Sequence, residues 1–126
     1  MKLAIVGSRT FTDYLFLEST IMTRINKNVT EIVSGGAPGA DSLAEDFAKK
    51  FQLKMKVFPA DWKGFGKKAG YLRNISIIEY SDIIIAFWDF VSPGTKSSIN
   101  LAYKMHKELH IIDVRTNKNG VYNENI

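Results

Sequence analysis

The stretch Ser34-Gly35-Gly36-Ala37-Pro38-Gly39-Ala40-Asp41 lies between the apolar run Ile32-Val33 and an amphipathic segment that begins at Ser42. Three glycines at a strand-to-helix junction let one backbone approach another, and they let a ligand approach without meeting a Cβ atom. The helix that follows begins with unpaired N–H groups and the positive end of its dipole. The junction therefore predicts an anion site, with phosphate as the favoured anion. The alternative is a tight turn that needs glycine only for steric reasons.

Short apolar runs alternate with helical periods along the chain on both sides of this stretch. Most runs are continuously apolar, as in strands that are buried on both faces. The predicted strands are residues 3–6, 31–34, 55–58, 82–88 and 110–114. Alternating strands and helices favour right-handed βαβ units. We therefore expect an α/β fold in which residues 1–114 form a single domain, with an open, mostly parallel five-stranded sheet and helices on both faces.

Two local patterns refine this prediction. Ser42, with Glu45 three residues later, predicts a capping box at the start of the second helix. Residues 115–126 are rich in asparagine, and they predict a frayed tail, or else an edge or oligomer contact.

Composition limits the chemistry that the chain can carry. The 126 residues include no cysteine, which excludes disulfides and cysteine-ligated metal sites. His106 and His110 are four apart near a predicted helix end, a spacing that can bind zinc, but a solvated helix face is the favoured interpretation. The apolar run in residues 1–7 is too short for a signal peptide or a membrane span. We expect a cytoplasmic protein with no membrane partner, no metal and no cofactor.

Positive charge is concentrated in one part of the chain. The net charge is +4, yet residues 49–73 hold eight basic residues and one acidic residue, a net charge of +7. A local basic field suits a polyanionic partner, either a nucleotide or a nucleic-acid strand. The alternative is a solvated lysine surface.

Ligands of open α/β sheets bind outside the carboxyl ends of the strands, so the loops that follow the strands are the candidate sites. The first predicted strand ends in Gly7-Ser8-Arg9, which offers close approach, a hydroxyl group and a side chain for bidentate phosphate contact. The fourth ends in Asp89 and is followed by Ser92-Pro93-Gly94-Thr95-Lys96-Ser97-Ser98. Its glycine and hydroxyl residues precede a helix and predict a second anion site.

Two aspartates near these junctions have two interpretations each. Asp89 could accept hydrogen bonds from a ribose or cap its turn, and Asp41 is similar, with helix capping favoured. No metal constellation and no Ser/His/Asp or Cys/His arrangement is present, so Asp89 and Asp41 are the candidate catalytic carboxylates.

A third junction follows the third predicted strand. Trp62 lies in a polar, glycine-rich loop, where it could stack on a base or fill the core beside Phe65. Arg73 and Asn74 lie one turn inside the next helix, from which an arginine can reach over the sheet edge towards a phosphate.

Five motifs in this order resemble the YspA-like branch of the SLOG superfamily over residues 2–113. They are Gly7-Ser8-Arg9, Gly35-Gly36-Ala37-x-Gly39-Ala40-Asp41, Asp61-Trp62, Gly66-x-x-Ala69-Gly70-x-x-Arg73-Asn74, and Phe87-Trp88-Asp89 with Gly94-Thr95. The resemblance implies a Rossmann-like three-layer fold, commonly in a dimer or larger homo-oligomer. It also implies a nucleotide-type ligand, with relatives suggested to sense or process NAD-derived and ADP-ribose-like molecules.

The junctions and the resemblance together define one set of candidate ligand-binding residues. They are Gly7, Ser8, Arg9, Gly35, Gly36, Ala37, Gly39, Ala40, Asp41, Trp62, Arg73, Asn74, Asp89, Ser92, Gly94, Thr95 and Ser98.

The same superfamily includes the lonely-guy phosphoribohydrolases, whose pattern is Pro-Gly-Gly-x-Gly-Thr-x-x-Glu with an upstream arginine. Gly94-Thr95 and Arg73 fit this pattern, but Ser98 takes the glutamate position and Val91-Ser92-Pro93 replaces the double glycine. A serine cannot stabilise an oxocarbenium ion or position water as a carboxylate does. We therefore expect a nucleotide-binding sensor, carrier or sequestering module. The alternatives are an N-glycoside hydrolase that uses Asp89 or Asp41, and single-stranded nucleic-acid binding as in the related DNA-processing branch.

Overall fold

The computed structural model describes residues 1–116 and residue 122. Strands and helices alternate throughout this part of the chain. The elements are β1 (Lys2–Gly7), α1 (Tyr14–Arg24), β2 (Glu31–Ser34), α2 (Ala40–Lys50), β3 (Lys54–Val57), α3 (Trp62–Phe65), a 3₁₀ turn (Gly66–Lys68), α4 (Ala69–Tyr80), β4 (Ile83–Trp88), α5 (Pro93–Lys104) and β5 (Glu108–Asp113).

The five strands form one parallel sheet in the order β3-β2-β1-β4-β5. Gly7 at the end of β1 pairs with Phe87 near the end of β4, so these two central strands finish side by side. The chain builds outward from β1 in one direction and then returns to build outward from β4 in the other. Such a reversal opens a crevice at the carboxyl ends of the two strands. The predicted Rossmann-like α/β fold is confirmed.

Helices cover both faces of the sheet. Leu3 and Ile5 point to one face, where they pack with apolar residues of α1 and α2. Ala4 and Val6 point to the other face and pack with α4 and α5. Successive strand residues alternate between faces, so a strand covered on both sides must be apolar at every position. This explains the continuous apolar runs in the sequence.

Helix boundaries differ from the predicted ones in two places. The N-cap of α2 is Gly39, and the Ala40 N–H donates to the Ser8 carbonyl at 3.2 Å. Ser42 therefore lies inside the helix, and the predicted capping box is wrong. His106 follows α5 with a φ of +56°, whereas His110 lies in β5. The two histidines do not share a helix face, so that interpretation is also wrong.

The segment after β3 contains short helical elements where the sequence predicts a loop. The Asp61 side chain caps α3 by accepting from the Gly64 N–H at 2.9 Å. Every residue from 61 to 68 is exposed.

The C-terminal segment lies only partly within the described residues, since residues 117–121 and 123–126 lie outside them. Thr116 forms an antiparallel bridge with Tyr122. The Tyr122 ring stacks on Phe16 at 4.1 Å between centroids, and its hydroxyl donates to Asp13 at 3.0 Å. Tyr122 thus packs against the α1 side of the core. Within the described chain, no helix has the length and apolar character that spanning a bilayer requires.

Candidate functional site

A cavity of about 360 Å³ lies at the carboxyl ends of β1 and β4, where the topology predicts a crevice. Most of its wall consists of residues that the sequence analysis singled out. Its lining residues are Val6, Gly7, Arg9, Thr10, Ala37, Asp41, Arg73, Asn74, Ile77, Asp89, Ser92, Pro93, Gly94, Thr95 and Ser98.

The amino end of α5 forms one wall of this cavity. Ser92 is its N-cap but makes no side-chain capping bond, and Pro93 at the first position has no N–H group. Among the described residues, the backbone N–H groups of Gly94 and Thr95 donate to no acceptor. A Cβ atom added at Gly94 would meet nothing within 4 Å. These donors and the helix dipole therefore face open space that an anion can occupy.

Asp89 fixes the loop between β4 and α5. Its Oδ1 accepts from the N–H groups of Val91 at 2.9 Å and Ser92 at 2.7 Å, and its Oδ2 accepts from the Ser92 hydroxyl at 2.9 Å. Burial alone would raise the pKa of Asp89, but these hydrogen bonds together hold it below its usual value. The Asp89 N–H also donates to the Ser8 hydroxyl at 3.1 Å, which ties this loop to the end of β1. Asp89 therefore caps its turn while lining the cavity.

Two arginines also line the cavity. Arg73 reaches across from α4, donating from Nη1 to the Gly35 carbonyl at 2.9 Å and from Nε to Asn74 at 3.1 Å. Glycine at position 35 leaves room for the Arg73 guanidinium, which a Cβ atom there would displace. Arg9 is exposed and makes no hydrogen bond or ion pair within residues 1–116 and 122. Its charge is therefore available to a ligand.

The amino end of α2 differs from that of α5 because it already holds an acidic group of the chain itself. Asp41 is only 8% exposed, and its Oδ2 accepts from the Ala37 N–H at 3.0 Å. Burial raises the pKa of Asp41, while the bond from Ala37 and the positive charge of Arg73 act in the opposite direction. Asp41 thus closes the glycine loop from inside the first turn of α2. An anion at this end would meet the carboxylate, which leaves α5 as the better anion site.

Gly39 allows α2 to begin against the Arg9 loop. Its φ is +77°, and a Cβ atom there would collide with the backbone of Arg9. Gly39, Ala40 and Ser8 stand behind the cavity wall rather than in it, and Ser8 and Ala40 are buried.

A second, shallower depression of about 270 Å³ adjoins the cavity. The two share Arg9, Ala37 and Arg73, and the second is bounded by Trp62 and by the glycine and proline residues of neighbouring loops. Trp62 is 55% exposed and Phe65 is 56% exposed, so the alternative in which Trp62 fills the core is wrong. Gly35 and Gly36 line this depression and not the cavity.

Some cavity residues were missed by sequence reasoning. Val6 and Ile77 are core residues whose edges reach the cavity, and no local pattern marks them. Thr10 and Pro93 lie one residue beyond predicted positions, and the helix-start pattern before Gly94 could have identified Pro93.

The lysines of residues 49–73 lie in three separate parts of the fold. Lys50 pairs with Glu18 at 2.7 Å, and Lys54 and Lys56 lie on the edge strand β3, where lysines discourage strand addition. Lys49 is exposed beside Lys50 in the last turn of α2, and Lys63, Lys67 and Lys68 are exposed in the segment that follows Trp62. Among the residues that the structure describes, no cluster of three or more acidic or histidine side chains is placed to hold a metal ion.

Comparisons with known proteins agree with this architecture. The chain is 32% identical over 111 residues to the Gene 61 protein of Mycobacterium phage D29, which covers 82% of this chain and 89% of the relative. The structure of this chain resembles that of DNA processing protein A from Helicobacter pylori, with a TM-score of 0.64 and 25% identity. That structure is described for its single-stranded DNA binding mode. That match covers 97% of this chain and 68% of the other.

A family model supplies the assignment. The model of the YspA, cpYpsA-related SLOG family matches residues 1–65, which include β1, the glycine loop and Trp62. The resemblance predicted from the five motifs is confirmed. The chain belongs to the YspA, cpYpsA-related SLOG family.

Proposed function

We propose that this protein binds a phosphorylated nucleotide in the cavity at the ends of β1 and β4. The observation that carries the proposal is the uncapped amino end of α5, where Gly94 and Thr95 have unbonded N–H groups and line the same cavity as Arg9 and Arg73. A phosphate placed there would receive backbone hydrogen bonds, the positive end of the helix dipole and charge-assisted bonds from guanidinium groups. Few ligands other than a multiply charged oxyanion use all three.

The shape of the site favours an NAD-derived or ADP-ribose-like ligand. Arg9 and Arg73 stand where the cavity and the second depression meet, so a ligand with phosphates at its middle could extend both ways. On one side, Trp62 offers an exposed ring for a base to stack on. On the other, the polar wall at Asp89 and Ser92 offers partners for ribose hydroxyls.

The site chemistry favours binding over hydrolysis. Asp89 is held ionised by loop hydrogen bonds, which makes it a poor proton donor and a weak base. The Ser98 hydroxyl donates to the Gly94 carbonyl at 3.4 Å and occupies the position where related hydrolases have glutamate. Asp41 is engaged by the glycine loop. We therefore favour a sensor, carrier or sequestering module, and N-glycoside hydrolysis is the alternative.

One experiment separates these two functions. The purified protein is denatured, and mass spectrometry identifies any small molecule that leaves it. The protein is then incubated with AMP, NAD and ADP-ribose, and both bound ligand and released base are measured. Intact ligand recovered at a stoichiometric amount supports binding, whereas base release that Asp89→Asn abolishes supports the hydrolase. No binding of any of the three compounds would overturn the proposal.

Single-stranded nucleic acid is the second candidate partner. Trp62 and Phe65 are exposed among Lys63, Lys67 and Lys68, which combines stacking surfaces with positive charge, and the similar DNA processing protein A is described as binding single-stranded DNA. Binding of a labelled oligonucleotide should fall steeply with salt and be lost when the three lysines are replaced together by alanine. Absence of binding at low salt removes this candidate.

Two expectations stay predictions. We expect a homo-oligomer, a dimer or larger, which light scattering on the purified protein measures. We also expect a cytoplasmic location, which cell fractionation tests.

A further inference from the structure

Phe90, in the loop between β4 and α5, has an unusual backbone conformation. Its φ is +65°, in the left-handed region that residues with a side chain rarely adopt. Such a conformation persists only where surrounding contacts hold it, and these positions cluster at functional sites.

Two side chains hold the Phe90 ring. The Trp88 ring stacks on it, with 4.4 Å between centroids and an interplanar angle of 22°, and the Arg115 guanidinium carbon lies 4.2 Å from its centroid. Both partners are fixed in turn. The Trp88 indole N–H donates to the Ser92 carbonyl at 3.1 Å, and Arg115 donates from Nε and Nη2 to the buried Asp113 at 3.0 and 2.8 Å.

The loop that contains Phe90 leads directly to the anion site. Val91 and Ser92 follow it, and their N–H groups bond to Asp89. Pro93 and Gly94 then begin α5. The direction in which the Gly94 and Thr95 N–H groups point therefore depends on the backbone at Phe90.

We propose that Phe90 is a positioning residue for the anion site, acting through the stack of Trp88, Phe90 and Arg115. The stack holds the left-handed backbone at Phe90, and thereby aims the first N–H groups of α5 into the cavity. This inference rests on the proposed function, because it assigns the purpose of the stack to that site. It adds Phe90 and Arg115, neither of which lines the cavity.

The test compares ring removal with ring retention. Phe90→Ala removes the ring and keeps the backbone strain, Phe90→Gly removes both, and Phe90→Tyr keeps the ring. Phe51→Ala is the matched control, because the Phe51 ring also lies against an aromatic ring, that of Phe47, with 4.7 Å between centroids, but at the far end of α2. Each folded variant is measured for ADP-ribose affinity by calorimetry and for amide hydrogen exchange at Val91 and Ser92 without ligand.

We expect Phe90→Ala and Phe90→Gly to speed exchange at Val91 and Ser92 at least ten-fold and to weaken ADP-ribose binding at least five-fold. Phe90→Tyr and Phe51→Ala should stay within two-fold of the wild type in both measurements. Unchanged exchange, or faster exchange with unchanged affinity, in both ring-removal variants would overturn the inference. If the wild type does not bind ADP-ribose, the proposed ligand fails, whereas the exchange rates still decide whether the stack positions the loop.

Discussion

Replacing Arg9 by alanine isolates the electrostatic part of ligand binding. Arg9 lines both the cavity and the second depression, is exposed, and makes no hydrogen bond or ion pair among the described residues, although its charge acts on Asp41. Its removal breaks no hydrogen bond or ion pair of the described residues, so the free energy of unfolding should change by less than about 0.5 kcal/mol. A hydrogen bond to a charged group contributes about 1.5–3 kcal/mol. Loss of one such bond to phosphate should raise the Kd about 10- to 150-fold, since 1.4 kcal/mol corresponds to a factor of ten.

The assay is isothermal titration calorimetry with ADP-ribose, together with urea unfolding of the same samples. Lys104→Ala is the charge-matched control, because Lys104 lies at the last turn of α5, about 15 Å from Gly94 at 1.5 Å per residue. It should leave the Kd within two-fold. Arg73→Ala should weaken binding by a similar 1.5–3 kcal/mol and also destabilise the fold, because it removes the bond to Gly35. If Arg9→Ala bound ADP-ribose as tightly as Lys104→Ala does, the placement of phosphate beside the arginines would be refuted.

Three further substitutions test the framework of the site. Gly39→Ala should cost about 1–3 kcal/mol of unfolding free energy or more in urea, because φ is +77° and the new Cβ atom would collide with Arg9; a loss under about 0.5 kcal/mol would contradict this. Burial raises the pKa of Asp41, so its contribution to stability is present below the unfolded pKa of about 3.9 and is lost as the pH rises through the folded pKa. The stability of Asp41→Asn relative to wild type should therefore increase from pH 4 to pH 7 in parallel thermal melts, and a constant difference would argue against a raised pKa. Tyr122→Phe keeps the ring stack but removes the bond to Asp13, so calorimetric unfolding should show a loss of about 1 kcal/mol, and no loss would mean that the bond is not formed in solution.

The parts of the fold that depend on burial could be predicted from the sequence. The runs at residues 3–6 and 83–88 are apolar at each position because both sheet faces are covered. The bounds of the edge strand β3 are harder to predict from the sequence, because β3 begins at Lys54 and exposes most of its residues. There, hydrogen bonds to β2 define the strand, and they leave little trace in the hydrophobic pattern.

The part of the candidate site at the start of α5 could be predicted from a local sequence pattern. The contacts between residues far apart in the sequence could not. Gly94 and Thr95 could be recognised from the glycine and hydroxyl pattern before α5. The bond between Asp89 and Ser8 joins residues 81 apart, and Arg73 reaches Gly35 across 38 residues. No spacing rule reveals such pairs. Gly39 rather than Ser42 is the N-cap of α2 because the carbonyl of Ser8, the residue after β1, accepts from the Ala40 N–H.

The open space beside Gly94 has a consequence for how this protein can change. A side chain introduced there would crowd no neighbour and strain no backbone, so folding would tolerate it. Because Gly94 lines the cavity, such a side chain would instead change the shape of the site that we propose for the ligand. A substitution at position 94 could therefore change which ligand this protein selects, with little loss of folding stability.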